Sequence, residues 1–411
     1  MQAENTKTDI KSLSFGCRLN ALEAEKIQQM LRNITNVAII VNTCAVTGEA
    51  ERQCGQAVRR IARENPNAPI FVTGCAATRN PELFAKIPNT YVIHNSKKLQ
   101  IDAYIDALRA TPFAVAQPEI QKFHHTAPVL SKKFIQVQNG CNHKCTYCVT
   151  RLLRGPAVSF DYNDILRDAT DAVRDGFSEI VLTGVDIASY VRDGRLISDV
   201  CHGLLNDAPG IQRLRLSSMD PASPQLYNII DMIHNDARMM GHLHLSMQSG
   251  SDTILKAMLR RHSADMVRRL VASAGDDITF SWDIICGFPG ETEDLFTETL
   301  RLVRELKPIR IHAFPFSPRP GTVGAEMPNQ VNPAISKERV KIITDAANQN
   351  LHEFMVRQIG KTVQVLVEEN NLARDPHDIV VKIDGCRVAP RTVCDVILTD
   401  INGDAFIGKI K

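Results

Sequence analysis

Three cysteines within eight residues have the clearest chemical meaning in this chain. Cys141, Cys145 and Cys148 are spaced C-x3-C-x2-C in the segment CNHKCTYC. Four thiolates close a cubane [4Fe–4S] cluster, so three leave one iron open to a small molecule. An iron–sulfur cluster combined with S-adenosylmethionine (SAM) performs radical chemistry. The alternative is a structural zinc site with a distant fourth ligand, although no cysteine or histidine pair follows at zinc-ribbon spacing.

A second, wider set of cysteines precedes this loop. Cys17, Cys44 and Cys75 are separated by 27 and 31 residues, and each follows an apolar run. Such spacings match successive strand–helix units, whose strand ends converge at one edge of a parallel sheet. The set therefore predicts either a second cluster with one open iron or three buried, inert cysteines.

The other cysteines have no ligand-like spacing. Cys54, on a predicted helix, is interpreted as structural, and Cys286 as a residue that fills the core. His143 lies inside the short loop and is expected to pack or hydrogen-bond there rather than bind iron. The remaining cysteines stand in no pattern: Cys201, Cys386 and Cys394.

Length and composition set limits on the class of protein. The chain has 411 residues, of which 44% are hydrophobic and 23% charged, as in globular proteins of two or three domains. Its net charge of +2 does not by itself indicate a nucleic-acid partner, so a basic site must be a local patch. No apolar run approaches the roughly 20 residues that span a bilayer, and residues 1–11 do not resemble a secretory signal. We therefore expect a soluble, cytoplasmic protein with no membrane partner, whose 11 cysteines are reduced or bind metal.

Elements that position the wide cysteine set are predicted between residues 12 and 110. Apolar runs at 37–41, 70–73 and 91–93 predict buried strands. Helical patterns separate and follow these strands at 20–33, 48–64 and 97–109. The pattern predicts a small α/β domain with a mostly parallel sheet over residues 8–112. Prolines interrupt regular structure after it, so residues 113–131 are interpreted as a linker.

A longer strand–helix alternation covers residues 132–358. Six strands are predicted at 134–137, 180–182, 214–216, 243–245, 278–285 and 309–314. Helices are predicted at 163–175, 196–206, 223–235, 252–274, 292–305 and 335–358. Six units fall short of the eight that close a TIM barrel, so the fold class is α/β with a central partial (β/α)6 barrel. Residues 359–411 show β-type alternation and predict a small all-β barrel.

Small and polar residues follow the predicted barrel strands, where such folds place their active sites. Each of these turns is ordinary when taken alone. Together, beside one cysteine set, they predict a SAM pocket. Its candidate cofactor-binding residues are Thr183, Gly184, Asp186, Ser217, Ser218, Gln248, Ser249, Ile285 and Gly287.

These motifs resemble those of a known family. The loop 141–148 is similar to the radical-SAM signature, and the wide cysteine set resembles that of the methylthiotransferases within that superfamily. The resemblance covers nearly the whole chain: an N-terminal methylthiotransferase domain, a radical-SAM core and a tail similar to the RNA-binding TRAM domain. The segments 182–187 and 216–221 are most similar to the branch that acts on N6-threonylcarbamoyladenosine beside the tRNA anticodon.

The resemblance implies two [4Fe–4S] clusters and SAM as cofactors. The cluster of Cys141, Cys145 and Cys148 would cleave SAM to a 5′-deoxyadenosyl radical, which takes hydrogen from C2 of the modified adenine. The cluster of the wide set would present a sulfur, and a second SAM would supply the methyl group. The implied partners are a tRNA anticodon loop, an electron donor and a sulfur donor. Two open irons need two cysteine sets, and the chain provides two.

RNA contact has weaker support from the residues. The family often has a proline in the segment after the third cysteine of the loop. This chain has VTRLL at 149–153 instead, and the added Arg151 is either a phosphate contact or a solvated residue. Arg154 is a further candidate for a phosphate contact. Basic groups at 59–63, 132–133, 260–262 and 268–269 contact RNA or are solvated helix faces. Phe406 is the sole aromatic residue of the tail, so base stacking is not expected there.

Other functions remain open at this point. The same chemistry on N6-isopentenyladenosine tRNA or on a ribosomal-protein aspartate is the first alternative. A cobalamin-dependent methylase is the second, but the segments at 199–202 and 375–380 do not match D-x-H-x-x-G and do not precede the core. A non-catalytic RNA-binding scaffold is the third, and the presence of all six candidate cluster cysteines argues against it.

Overall fold

The protein is described by a computed structural model over residues 8–110, 119–123, 131–385 and 388–411. It divides into two compact units. The first unit comprises Met1–Pro128, Gly140–His143 and Cys148–Pro156, and the second comprises Val129–Asn139, Lys144–Tyr147 and Ala157–Lys411. Within the described ranges, no helix has the length and apolar character to cross a membrane. Most of the predicted linker, 113–131, lies outside the described residues.

The first unit contains the predicted parallel sheet, in the strand order β1-β2-β3-β4. The strands are β1 (Asp9–Ser14), β2 (Val37–Thr43), β3 (Ile70–Gly74) and β4 (Thr90–Val92). The helices are α1 (Arg18–Leu31), α2 (Gly48–Glu64), α3 (Cys75–Arg79), α4 (Pro81–Ala85), α5 (Ile101–Ala110) and α6 (Thr150–Arg154). β1 was not predicted, because its sequence DIKSLS mixes polar and apolar residues in a half-exposed edge strand.

Local sequence signals explain where α2 begins, directly after β2. Thr47 is the N-cap, and its hydroxyl accepts a hydrogen bond from the Ala50 amide. Glu49 and Glu51 occupy the first turn, where negative charge is favourable. The described part of the linker, residues 119–123, packs on the same unit: the Lys122 amide donates to the Asn65 side chain at 2.9 Å.

The second unit contains the predicted open barrel. All six predicted strands form: β5 (Lys132–Gln136), β8 (Glu179–Thr183), β11 (Arg213–Leu216), β12 (His242–Gln248), β13 (Thr279–Cys286) and β14 (Arg310–Pro315). Parallel pairing gives β5-β8-β11 and β12-β13-β14, and bridges from Leu214 to Met239 and from Met219 to Leu245 join the two sheets. Short strands accompany them: β6 (Gln138–Asn139), β7 (Val158–Ser159), β9 (Val191–Arg192) and β10 (Arg195–Leu196).

Helices cover the outer face of the barrel and enclose a large apolar core. They are α7 (Tyr162–Arg174), α8 (Ile197–Asp207), α9 (Gln225–Asn235), α10 (Asp252–Ala257), α11 (Ala264–Ala274), α12 (Glu293–Leu306), α13 (Val323–Glu326) and α14 (Pro333–Val356). The single helix predicted at 252–274 is wrong, since two helices form there. Leu259 has a left-handed φ of 56°, and Ser263 caps a new helix by accepting from the Met266 amide.

The predicted C-terminal barrel is confirmed. Its strands are β15 (Thr362–Val367), β16 (Leu372–Arg374), β17 (Val380–Asp384), β18 (Val393–Asn402) and β19 (Ala405–Ile410). They close in the order β15-β16-β17-β19-β18. Phe406 is fully buried in its core, which agrees with the expectation that this barrel does not stack bases.

A buried carboxylate joins the amino ends of three barrel strands. Glu179 accepts from Arg213 Nε at 2.7 Å and from Arg215 Nε at 2.8 Å, and Lys132 Nζ lies 3.4 Å away. Burial opposes ionisation of Glu179, but the three cations outweigh burial and lower its pKa to about 2. This charged cluster therefore lies at the amino ends of the strands, opposite the edge predicted to bind SAM.

We predict that Glu179→Gln lowers the free energy of unfolding at pH 7 by about 3–5 kcal/mol, because it leaves buried cations without their anion. Because folding lowers the pKa of Glu179 from 4.5 to about 2, its stabilisation is present above pH 4.5 and is lost as the pH falls towards 2. The measurement is urea unfolding followed by fluorescence of Trp282, the chain's single tryptophan, which is buried in the same unit.

The matched control is Glu305→Gln. Its carboxylate pairs with Arg268 at 2.7 Å on the surface, where such a pair contributes less than about 1 kcal/mol. Equal loss of stability in the two variants at pH 7 would contradict the assignment.

Candidate active site

The first unit places the wide cysteine set at one edge of its sheet. Cys17 directly precedes α1, Cys44 follows β2, and Cys75 follows β3 as the first residue of α3. Parallel register aligns Ser14 with Asn42 and Thr43 with Gly74, so the three strands end side by side. Cys17 is exposed, Cys75 half-buried and Cys44 buried. The convergence predicted from the spacing of these cysteines is therefore present in the fold.

Cys44 packs against the turn that carries Cys17, and its thiol is affected by the other two cysteines. Burial raises the pKa of the Cys44 thiol, and the nearby Cys75 and Cys17 sulfurs raise it further. Gly16 has a left-handed φ of 82°, and a Cβ on it would lie 2.5 Å from Cys44 Sγ. Only glycine allows the backbone to pass this close to the sulfur.

Hydrogen-bond donors surround the sulfurs of this edge. The Val46 amide donates to Cys44 Sγ at 3.5 Å, and Asn95 Nδ2 donates to Cys75 Sγ at 3.7 Å. Asn95 also donates to the Leu153 carbonyl at 3.0 Å. Donors to sulfur favour the thiolate form and tune a cluster that thiolates bind.

A buried ion network lies beside these cysteines. The Glu23 carboxylate on α1 accepts from Lys98 Nζ at 2.6 Å and from Arg154 Nη1 at 2.9 Å. Lys98 also donates to Asn95 Oδ1 at 2.9 Å, and Arg154 donates to Asn20 Oδ1 at 2.6 Å. Burial opposes ionisation of Glu23, but the two cations hold its pKa below the usual value. The network therefore contains two cationic side chains, Lys98 and Arg154, and one carboxylate, Glu23.

Sequence reasoning missed this network and assigned Arg154 differently. We expected Arg154 to contact tRNA phosphate, and that expectation is wrong, because its side chain is only 4% exposed and is bound to Glu23. Burial opposes the charge of Arg154, but Glu23 and, after it, the nearby Cys75 and Cys17 sulfurs raise the pKa of the guanidinium. Glu23 and Lys98 are 75 residues apart, so no local pattern connects them.

The short cysteine loop contributes two of its sulfurs to the first unit. Cys141 Sγ accepts from the His143 amide and Cys148 Sγ from the Thr150 amide, each at 3.4 Å. The Cys141 amide donates to the Gly155 carbonyl at 3.1 Å. This hydrogen bond joins the backbone at Cys141 to the end of α6, in the same unit as Cys148.

Cys145 belongs to the second unit, where Arg260 Nη1 lies 3.6 Å from its sulfur. Arg260 also donates to the Ser246 carbonyl at 2.8 Å and pairs with Asp220 at 3.3 Å. The interpretation of 260–262 as one solvated basic face is wrong, because Arg260 and His262 are buried and only Arg261 is exposed. The contacts of Arg260 with Cys145, Ser246 and Asp220 could not be predicted from a run of basic residues.

The candidate SAM-binding residues lie along the carboxyl edge of the barrel strands. Parallel register pairs Thr183 with Gln136, Leu216 with Leu182, and Gln248 with Ile284. This edge carries Thr183, Gly184, Asp186, Ser217, Ser218, Gln248, Ser249, Ile285 and Gly287.

The polar groups on this edge differ in whether they have hydrogen-bond partners among the described residues. Gln138 Oε1, which sequence reasoning missed, accepts from the amides of Val185 at 3.0 Å and Asp186 at 2.8 Å. The buried Ser217 hydroxyl has no hydrogen-bond partner among the described residues. The Ser249 hydroxyl instead contacts Thr299 Oγ1 at 3.2 Å, on the helical side of the sheet.

Gly287 ends the edge in a left-handed turn. Its φ is 78°, and a Cβ there would collide with the Ser336 side chain. Its amide donates to the Glu291 carboxylate at 2.6 Å, and Glu291 pairs with Arg339 at 2.8 Å. The turn is therefore fixed by a buried ion pair before any ligand binds.

The cysteines interpreted as structural are buried. Burial raises the pKa of the thiols of Cys54, Cys201 and Cys286 to about 12, so these thiols stay protonated. Cys394 is half-buried against the core of the C-terminal barrel, and Cys386 lies outside the described residues.

The segment considered as a cobalamin motif is engaged in packing. The Asp375 side chain accepts from the Ile379 amide at 2.7 Å, and His377 Nδ1 contacts the Gly241 carbonyl at 3.0 Å.

Comparison with known proteins agrees with this arrangement. Residues 135–303 match the radical SAM superfamily, and residues 9–94 match the uncharacterized protein family UPF0004. The threonylcarbamoyladenosine tRNA methylthiotransferase MtaB of Rickettsia prowazekii is 38% identical over 388 residues, which cover 90% of each chain. A tRNA-2-methylthio-N(6)-dimethylallyladenosine synthase of Thermoanaerobacter pseudethanolicus is 30% identical and covers 97% of this chain and 88% of its own.

A solved structure supports the fold. The radical SAM methyltransferase TsrM of Kitasatospora setae, with cobalamin and a [4Fe–4S] cluster bound, has a TM-score of 0.55 and 12% identity. The alignment covers 78% of this chain and 77% of that one. At this identity the likeness concerns the fold alone.

Proposed function

Because the chain belongs to the radical-SAM methylthiotransferase family, we propose that it adds a methylthio group to C2 of N6-threonylcarbamoyladenosine next to the tRNA anticodon. In this reaction the C2–H bond is replaced by a C2–S bond, and the sulfur carries a methyl group from SAM. Two separate three-cysteine sets, at the strand ends of the first unit and in the loop 141–148, are the observation that carries the proposal. Each set leaves one cluster iron free, and the reaction needs one free iron for SAM and one for sulfur.

The cofactors of the family, SAM and [4Fe–4S] clusters, suit the donor sets of this chain. Cys17, Cys44 and Cys75 lie together at one sheet edge, with amide donors aimed at two of the sulfurs. Cys141 and Cys148 accept backbone amides, and Cys145 contacts the guanidinium of Arg260. When bound, a radical-SAM cluster supplies the electron that cleaves SAM. The role of this chain is to hold the sulfurs as thiolates and to place cationic groups beside them.

Charge balance supports a cluster at the first set. A [4Fe–4S]2+ core bound by three thiolates carries one net negative charge, and reduction adds a second. The buried network of Glu23, Lys98 and Arg154 carries one excess positive charge when all three side chains are ionised. A buried charge is tolerated when a charge of opposite sign lies close to it. The network therefore compensates a cluster better than it compensates three neutral thiols.

The carboxyl edge of the barrel is the proposed SAM site. Ser217 supplies a buried hydroxyl that has no hydrogen-bond partner among the described residues. Gly184 and Gly287 lack a Cβ where Gln138 and Ser336 pack against the turns of this edge, so the two glycines shape its backbone. The edge offers hydroxyl and amide groups that suit a cofactor with amino, carboxylate and ribose groups. The Ser249 hydroxyl contacts Thr299 on α12, so we propose no direct contact between Ser249 and SAM.

The substrate class is a tRNA whose modified adenine leaves its stack. C2 of a stacked base is not accessible to a bound sulfur, and anticodon loops are single-stranded. The 38% identity with the threonylcarbamoyladenosine enzyme, against 30% with the dimethylallyladenosine enzyme, favours the former substrate. The proposal further requires an electron donor and a sulfur donor.

We predict that anaerobically reconstituted protein contains about eight cluster irons with about eight acid-labile sulfides, and that the variant Cys17→Ala/Cys44→Ala/Cys75→Ala contains about four of each, because one cubane is lost. Iron and acid-labile sulfide are measured together. The control is Cys201→Ala/Cys394→Ala, which removes cysteines outside both sets and keeps about eight irons. An unchanged iron content in the triple variant would remove the second cluster from the proposal.

Deletion of the gene is expected to abolish 2-methylthio-N6-threonylcarbamoyladenosine in tRNA and to leave N6-threonylcarbamoyladenosine in its place, because the step before methylthiolation is intact. Mass spectrometry of digested tRNA nucleosides measures both. Wild-type chain restores the product, and the variant Cys141→Ala/Cys145→Ala/Cys148→Ala does not. Loss of the isopentenyl derivative with the threonylcarbamoyl product retained would instead identify the sister substrate.

A further inference from the structure

Two histidines and an aspartate meet on three adjacent barrel strands, and the proposed reaction gives none of them a role. His244 lies on β12, Asp283 on β13 and His312 on β14. Register pairs Asp283 directly with His312. Trp282 and Ile284, which alternate with Asp283, pack in the apolar core, so the aspartate faces the opposite side of the sheet.

The three side chains already lie at metal-ligand distances from one another. His244 Nε2 is 3.1 Å from Asp283 Oδ2, and His312 Nδ1 is 3.4 Å from Asp283 Oδ1. One donor atom from each residue fits within 4.8 Å of the other two. Donor atoms about 2.1 Å from one ion are separated by about 3.0 Å in octahedral and about 3.4 Å in tetrahedral coordination. Small side-chain movements would therefore place one ion among them.

Outer hydrogen bonds orient one of the imidazoles. His244 Nδ1 contacts Ser281 Oγ at 2.6 Å, and this hydroxyl also contacts Nε2 of the buried His242 at 2.9 Å. A partner on the second ring nitrogen fixes the tautomer that presents Nε2 to a metal.

An ion can reach these groups. The side chains of His244, Asp283 and His312 are 19%, 27% and 50% exposed, so none is sealed in the core. Two imidazoles and one carboxylate, with the remaining positions open, form the ligand set of many mononuclear iron(II) sites and also suit cobalt(II) and zinc(II).

We infer that His244, Asp283 and His312 form a mononuclear site for a divalent first-row transition metal, separate from the cysteine sets. The ligands come from neighbouring strands of one sheet, so their spacing is set by the fold rather than by a mobile loop. The open positions of the ion would accept oxygen donors from water or from a bound molecule. This site does not depend on the proposed substrate.

Cobalt(II) is the probe that tests this site in the holoprotein. Oxidised [4Fe–4S]2+ clusters are diamagnetic, so high-spin cobalt(II) gives the paramagnetic signal of the sample. CoCl2 is titrated anaerobically into the wild type and followed by electron paramagnetic resonance. We expect about one cobalt(II) per chain, with affinity reduced at least about tenfold in His312→Ala and in Asp283→Asn.

Matched variants make the result decisive. His312 is half-exposed and Asp283→Asn keeps the shape of the side chain, so neither variant needs to disturb folding. His202→Ala, on the exposed face of α8, is expected to bind cobalt(II) as the wild type does. Iron and sulfide are measured in every sample, so that loss of a cluster is not mistaken for loss of this site. A wild type that takes up no cobalt(II), or variants that bind it equally well, would overturn the inference and leave a hydrogen-bonded polar trio.

Discussion

The carboxylate of Glu23, buried between Lys98 and Arg154, is the interaction on which the arrangement of the first unit depends. It joins α1, the segment after β4 and α6, three parts of the chain that share no backbone pairing. The same network places Asn95 against Cys75 and leaves an excess of positive charge beside three sulfurs. The structural requirement for a buried ion network and the electrostatic requirement of an anionic cluster are thereby met by the same side chains.

In the second unit, the Glu179 charge cluster and the candidate SAM-binding residues lie at opposite ends of the barrel strands. Glu179 gathers Arg213, Arg215 and Lys132 at the amino ends, where the charges compensate one another. The carboxyl ends carry hydroxyls and amides beside the Asp220–Arg260 pair, and these groups offer hydrogen-bond donors to a ligand. His244, Asp283 and His312 lie between these layers and are explained by neither.

Most of the long elements, and the convergence of Cys17, Cys44 and Cys75 at one sheet edge, could be predicted from the sequence, because apolar periodicity and cysteine spacing are local signals. β2, β3, β4 and the six barrel strands formed as expected, whereas β1, the strand before Cys17, was missed. Arg154, Arg260 and the helix at 252–274 were misread. Arg154 and Arg260 are bound to partners far away in the chain, and the break at Leu259 depends on a left-handed residue that periodicity does not reveal. Such contacts between distant segments follow from packing and not from sequence pattern.

The most direct test of the central claim is the reduction potential of the cluster that we propose at Cys17, Cys44 and Cys75. It is measured by potentiometric titration and electron paramagnetic resonance in the background Cys141→Ala/Cys145→Ala/Cys148→Ala, where this cluster stands alone. Removing the buried cation with Arg154→Gln should make the potential more negative, while the exposed change Arg52→Gln leaves it unaltered. A loaded cluster whose potential is the same with and without Arg154 would contradict the account.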